Sequence, residues 1–160
     1  MGVSLIQWNA NSLLAHIHEL KHFLYDMDSL PDIICVQETF LKSSLNINIP
    51  EYSILRQDGK NGRGGVAIFL RNGITYSNVK YYEGKEGISV QIETINGPLK
   101  IFNFYVSPSY GFDESLFQEI FVSLMDVFQI IGCVALIYQI FSCFAGNICT
   151  LNCFVLFHVI

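Results

Sequence analysis

The sequence predicts an α/β chain of the α+β kind, a mixed sheet covered by helices, and three observations predict it. Residues 3–37 read strand, helix, strand. Three Asn-Gly pairs punctuate a β-rich centre. A second amphipathic helical pattern follows that centre at residues 113–127.

Val3-Ser4-Leu5-Ile6-Gln7-Trp8 forms the first short strand pattern. Asn11 or Ser12 is then placed to cap a helix through its side-chain oxygen. Leu13, Ile17, Leu20 and Leu24 recur at helical spacing and carry that helix to about Met27. Pro31-Asp32 breaks it. Ile33-Ile34-Cys35-Val36-Gln37 is a continuous apolar run, the mark of a strand buried on both faces. Asn61-Gly62, Asn72-Gly73 and Asn96-Gly97 then supply hairpin signals. Around them lie the strand patterns 65–70, 88–93 and 99–105, the last two joined by Asn96-Gly97 as an antiparallel hairpin. Pro108 ends the run, and Asp113 is placed to cap a helix with Leu116, Ile120 and Leu124 on its buried stripe.

Charge divides the chain. Charged residues make up 14% of it, against roughly 25% in an ordinary globular protein. Every Asp, Glu, Lys and Arg lies at or before Asp126. The net charge of −5 and the absence of a basic run speak against a protein held to nucleic acid by phosphate neutralisation alone. They do not exclude an enzyme that meets DNA through a metal ion. Met1–Trp8 is too short and lacks the basic start of a secretory leader. Cys133, Cys143, Cys149 and Cys153 contain no Cys-x-x-Cys pair, so they match a zinc site poorly and read, with Cys35, as free thiols.

Asn9 follows the first strand and Glu38 the second. If those strands pair in parallel, both side chains emerge at the carboxyl edge of the sheet, where α/β proteins gather functional groups. Tyr105 closes a later strand. A carboxylate at that edge could hold a hard divalent cation. A Glu at a strand end is also ordinarily a solvated surface group, and an Asn there ordinarily caps the next helix. Spacing alone leaves both readings open.

Four phrases in order resemble the endonuclease/exonuclease/phosphatase superfamily: Leu5–Asn11, Ile34–Thr39, Gly62–Ile68 and Asn103–Pro108. They are most similar to the endonuclease domain that opens non-LTR (jockey- or LINE-like) retrotransposon polyproteins. The resemblance covers roughly Val3 to Gly132. It implies a partial four-layer sandwich of the deoxyribonuclease I type, Mg²⁺ (or Mn²⁺) as cofactor, DNA as partner and target-site nicking as activity. It also implies that Glu38 is the metal ligand. Asn9 matches the residue holding the phosphate and water network, and Tyr105 the one touching the scissile phosphate. Asn11 and Arg63 are implied as weaker phosphate or DNA contacts.

The likeness stops at one junction. The family's next strand ends in Gly-Asp-x-Asn, and here Ile130-Ile131-Gly132 is followed by Cys133-Val134-Ala135. The expected organisation is therefore residues 1–132 as the N-terminal part of the nuclease domain and 133–160 as an unrelated apolar, Cys-rich tail. A late Asp-His pair is missing too, since Asp126 is the last Asp. The chain is expected to lack significant nuclease activity. Val127–Gly146 contains no charge and is long enough for a membrane span, although no Lys or Arg flanks it. That leaves a non-enzymatic retrotransposon relic with a membrane-inserting tail as the alternative. A remoter one is a zinc hydrolase through His18-Glu19-Leu20-Lys21-His22, an H-E-x-x-H pattern whose histidines point away from the predicted apolar stripe. Asp58–Gly65 lacks the Gly-Lys-Ser/Thr ending of a phosphate loop and reads as a tight hairpin.

Overall fold

The structure, a computed structural model, describes residues 2–105, residue 118 and residues 155–159. Its elements are β1 (Val3–Asn9), α1 (Leu13–Tyr25), β2 (Ile33–Gln37), β3 (Tyr52–Gln57), β4 (Val66–Arg71), β5 (Tyr76–Tyr81), β6 (Glu86–Thr94), β7 (Gly97–Tyr105) and β8 (Val155–Val159). They build two sheets. The first has the order β3-β4-β2-β1-β8 and the second β5-β6-β7. β1 and β2 run parallel with Leu5 opposite Ile33 and Asn9 opposite Gln37; every other pairing is antiparallel. The fold is therefore α+β with two largely antiparallel sheets, as expected of the deoxyribonuclease I type.

Period-two burial explains why β2 is apolar from Ile33 to Val36. Ile34 and Val36 join Ile6, Trp8, Ala67 and Phe69 beneath α1. Ile33 and Cys35 face the other way and meet Leu5, Ile68, Val90 and Ile101 between the sheets. A strand buried on both faces has no position for a polar side chain until it nears its end. Burial also holds the Cys35 thiol protonated, its pKa pushed up to about 12.

The apolar stripe of α1 is the predicted one: Leu13, Ile17, Leu20 and Leu24 are its buried residues. Each such leucine or isoleucine contributes roughly 1.5–3 kcal/mol by leaving water, which outweighs the helix's exposed histidine–carboxylate pairs, worth at most about 0.3–0.5 kcal/mol each when the histidine is protonated. Those pairs are His16 with Glu19 and His22 with Asp26, each at 2.9 Å.

Several expectations change. Ser12 takes the N-cap position but makes no side-chain cap. Its φ of 92° turns the backbone so that main-chain groups do the work instead. The Ser12 and Leu13 N–H groups donate to the Glu38 and Thr39 carbonyls at 2.8 and 2.9 Å. Asn96-Gly97 does not occupy the centre of its hairpin: Thr94 pairs with Gly97, so Ile95 and Asn96 form the two-residue loop. Asn72-Gly73 closes no hairpin, because β4 and β5 lie in different sheets and the turn crosses between them. β3 and β5 were not expected. The pattern of β5 is exposed almost throughout and carries no apolar alternation to reveal it.

The helix expected over residues 113–127 lies outside the described residues except for Gln118, which is helical. The Gly132 junction and the candidate span Val127–Gly146 also lie outside them. Among the described residues no helix is long and apolar enough to cross a membrane. β8, from within the expected tail, lies antiparallel to β1 with Leu5 opposite Phe157.

Candidate active site at the carboxyl edge of the first sheet

The space between the sheets changes character toward one end. In the phase that faces it, β1 runs Leu5, Gln7, Asn9 and β2 runs Ile33, Cys35, Gln37. From the opposing sheet, β6 contributes Ile92, Val90, Ile88, then Glu86, and β7 contributes Leu99, Ile101, Asn103, then Tyr105. Four strands thus turn from apolar to polar at the same edge. Sequence reasoning had singled out Asn9, Glu38 and Tyr105 there but had missed Gln37, Glu86 and Asn103. Their signal was present: each is a polar residue in the inward phase of an otherwise apolar strand.

Asn9 and Glu38 meet, as the parallel pairing of β1 and β2 requires. Asn9 Nδ2 donates to Glu38 Oε1 at 2.9 Å. The amide is oriented from its other side, because the Asn11 N–H donates to Asn9 Oδ1 at 3.2 Å. Asn11 thus acts through its backbone; its side chain is exposed. Glu38 is half-buried and follows directly on fully buried Gln37. The two loops are zipped beyond this pair: Ala10 N–H donates to the Gln37 carbonyl at 2.9 Å, and the α1 N-terminus takes the Glu38 and Thr39 carbonyls.

Strain is concentrated at this edge. Asn11, Ser12, Glu38 and Phe40 have φ of 41°, 92°, 50° and 51°, all in the left-handed region that costs a non-glycine residue roughly 1–2 kcal/mol. The hydrogen bonds between the two loops hold these conformations against that cost.

Asn103 lies fully buried between the sheets. Its Nδ2 donates to the Val36 carbonyl at 3.1 Å and the Ala67 carbonyl at 2.8 Å. Its Oδ1 accepts from Gln37 Nε2. One side chain therefore ties β7 to β2 and β4, one residue before Glu38 and two before Tyr105. Tyr105 is partly buried against the inter-sheet core, opposite Glu86 in the β6–β7 register. The Glu86 carboxylate accepts the Gly65 N–H at 2.8 Å. Its pKa is raised, chiefly because it is buried; the Gly65 N–H works against the rise and the Glu38 charge adds to it.

Gly64 makes room for that carboxylate. A Cβ at position 64 would stand 2.2 Å from Glu86 Oε2, and Gly64 φ is +69°. Gly64→Ala is expected to lower stability by about 1–2 kcal/mol through strain and displacement of Glu86. A urea-denaturation midpoint unchanged from wild type would contradict it.

Arg63 is exposed beside this turn and holds its place in the hairpin loop between β3 and β4. Nearby, a shallow cavity of about 460 Å³ is lined by Lys42, Ser43, Asp58, Gly59 and Asn61 among others. His18, Glu19 and His22 lie on the exposed face of α1, away from this edge. Glu19 engages His16 and His22 engages Asp26. Among the described residues no group of three His, Cys, Asp or Glu side chains is placed to hold a metal ion. The H-E-x-x-H pattern is thus a solvated helix face.

A family model described as "Endonuclease/Exonuclease/phosphatase family" matches residues 6–138. Among solved structures, the chain is similar to the 3'-5' exonuclease NExo from Neisseria meningitidis, at 19% identity and a TM-score of 0.57 over 82% of this chain and 55% of that one. It is similar to the APE2 catalytic domain from Xenopus laevis, at 20% identity and 0.54 over 77% and 52%. It is also similar to the endonuclease domain of TRAS1, a telomere-specific non-LTR retrotransposon, at 16% and 0.55 over 76% and 54%. The chain spans about half the length of these solved chains.

Proposed function

The chain belongs to the endonuclease/exonuclease/phosphatase family, and on that premise we propose that it is the N-terminal part of a DNA endonuclease domain of the non-LTR retrotransposon kind. In this reading it carries half of a divalent-metal-dependent nicking site. The single observation behind it is the Asn9–Glu38 hydrogen bond across two parallel strand ends, at 2.9 Å, in a chain with the family's motifs in order.

Enzymes of this family hydrolyse phosphoesters and generally use divalent metals. The residues here suit such an ion: Glu38 is a half-buried carboxylate with Asn9 bonded to its Oε1, and hard cations take oxygen ligands. Glu38 would hold Mg²⁺ or Mn²⁺, and the bound ion would supply Lewis-acid polarisation of the phosphodiester. Asn9 fixes the Glu38 carboxylate through its Nδ2. The Tyr105 phenol would donate a hydrogen bond to a phosphate oxygen, and exposed Arg63 would meet a backbone phosphate farther along the strand.

The rest of the site is not encoded by residues 127–160, which contain no Asp or Glu. With Glu38 as the one assigned ligand, metal binding is weak and hydrolysis is lost. Part of the proposal is that residues 133–160 are unrelated to the family's sequence, although the family match runs to 138 and β8 pairs with β1.

A Mn²⁺ titration of the full chain, read by paramagnetic broadening of amide resonances, tests the metal assignment. Broadening is expected first at Asn9, Glu38 and Thr39, with the affinity falling about tenfold or more in Glu38→Gln, since one charged oxygen ligand is lost. Equal Mn²⁺ affinity in the two proteins would overturn it.

A further inference from the structure

We infer that Glu86 is a positioning residue that sets the conformation of the Glu38 loop from the opposite sheet, through the Gly64-Gly65 turn. The inference rests on the reading of Glu38 as metal ligand and adds what holds Glu38 in place.

Glu86 is the first residue of β6, in the second sheet, and Gly65 directly precedes β4, in the first. The bond from Gly65 N–H to Glu86 Oε2 therefore spans the two sheets at their polar edge. The turn it grips carries two carbonyls that face the Glu38 loop. The Gly65 carbonyl accepts the Thr39 N–H at 3.2 Å, and the Gly64 carbonyl accepts the Phe40 N–H at 2.8 Å. Thr39 and Phe40 are the two residues after Glu38. Glu38 and Phe40 are both left-handed, so the loop needs external bonds to keep its shape.

The fit is tight at the two glycines. Glycine at 64 leaves the space that the carboxylate fills, and a Cβ at 65 would stand 2.7 Å from Thr39 Oγ1. The strand carrying Glu86 is also tied to the first sheet by Gln57, whose Oε1 accepts the Gly87 N–H at 2.8 Å. Across the hairpin, Glu86 is opposite Tyr105. One carboxylate thus links the turn holding Glu38 to the strand pair ending in Tyr105. A charge-assisted bond of this kind is worth more than a neutral one, and its loss leaves a buried N–H unpaired.

Amide hydrogen exchange in the 160-residue chain tests this with Glu86→Ala and Glu86→Gln. The glutamine keeps an acceptor oxygen at the same reach; the alanine removes it. Glu86→Ala should speed exchange at Thr39 and Phe40 by about tenfold or more. Exchange at Val90 and Ile101, in the middle of β6 and β7, should stay at wild-type rates. Glu86→Gln should restore Thr39 and Phe40 to within about threefold of wild type. The inference is overturned if the alanine leaves those two amides protected. It is equally overturned if the alanine speeds all four together, or if the glutamine fails to restore protection. Loss of Mn²⁺ binding in the wild type would instead remove the metal reading of Glu38, without touching these exchange rates.

Discussion

Replacing Asn103 by alanine is expected to remove a large share of the chain's stability. The side chain is fully buried and satisfies three groups: the Val36 and Ala67 carbonyls and the Gln37 amide. Alanine leaves all three without that partner, between two sheets where water has no access. A buried polar group left unpaired costs roughly 1–3 kcal/mol, so the loss is on the order of 3 kcal/mol or more. Against a total stability of about 5–15 kcal/mol, that is a large fraction. Leucine should do no better, since filling the volume leaves the buried Gln37 amide without its Asn103 acceptor. Urea denaturation followed by circular dichroism measures it; a loss under about 1 kcal/mol would contradict the expected dependence.

Asn103 also marks the boundary of what the sequence reveals. Long periodic patterns were legible: the α1 stripe, the doubly buried β2 run and the β6–β7 hairpin all appear where their periodicity places them. β3 and β5 were not, because edge strands need only one partner and tolerate exposed polar residues. Turn chemistry misled where the partner strand lies in another sheet, as at Asn72-Gly73. The Asn9–Glu38 pairing was legible because parallel strands in register bring their following residues together. The inter-sheet bonds of Asn103 and Glu86 were not, because they join residues 36 or more and 21 positions apart through a packing that no local pattern encodes. The inward phase of each strand did mark them as anomalies, and an unexplained polar residue in that phase is a usable sign of a nearby site.

The second large effect concerns catalysis. Phosphodiester hydrolysis requires an activated water and stabilisation of the charge that develops on phosphate oxygens. Asn9, Glu38 and Tyr105 could orient and polarise a phosphate, but they offer no second carboxylate-and-histidine set to handle the water and leaving group. Where the family's Gly-Asp-x-Asn strand end is expected, this chain has Gly132-Cys133-Val134-Ala135. Members of a catalytic unit act together, and losing several costs several powers of ten in rate. On the proposed reading, the chain keeps the carboxylate assigned to the metal and the tyrosine assigned to the phosphate, and its nicking rate is expected to fall below detection.

Nicking of supercoiled plasmid in Mg²⁺ by the full chain, beside Glu38→Gln, tests that claim most directly. The expected result is that the two proteins are indistinguishable from each other and from buffer, although Mn²⁺ still reports binding at Glu38. Mg²⁺-dependent nicking by the wild type that disappears in Glu38→Gln would contradict it, and would mean that the site at this sheet edge is complete within the 160 residues.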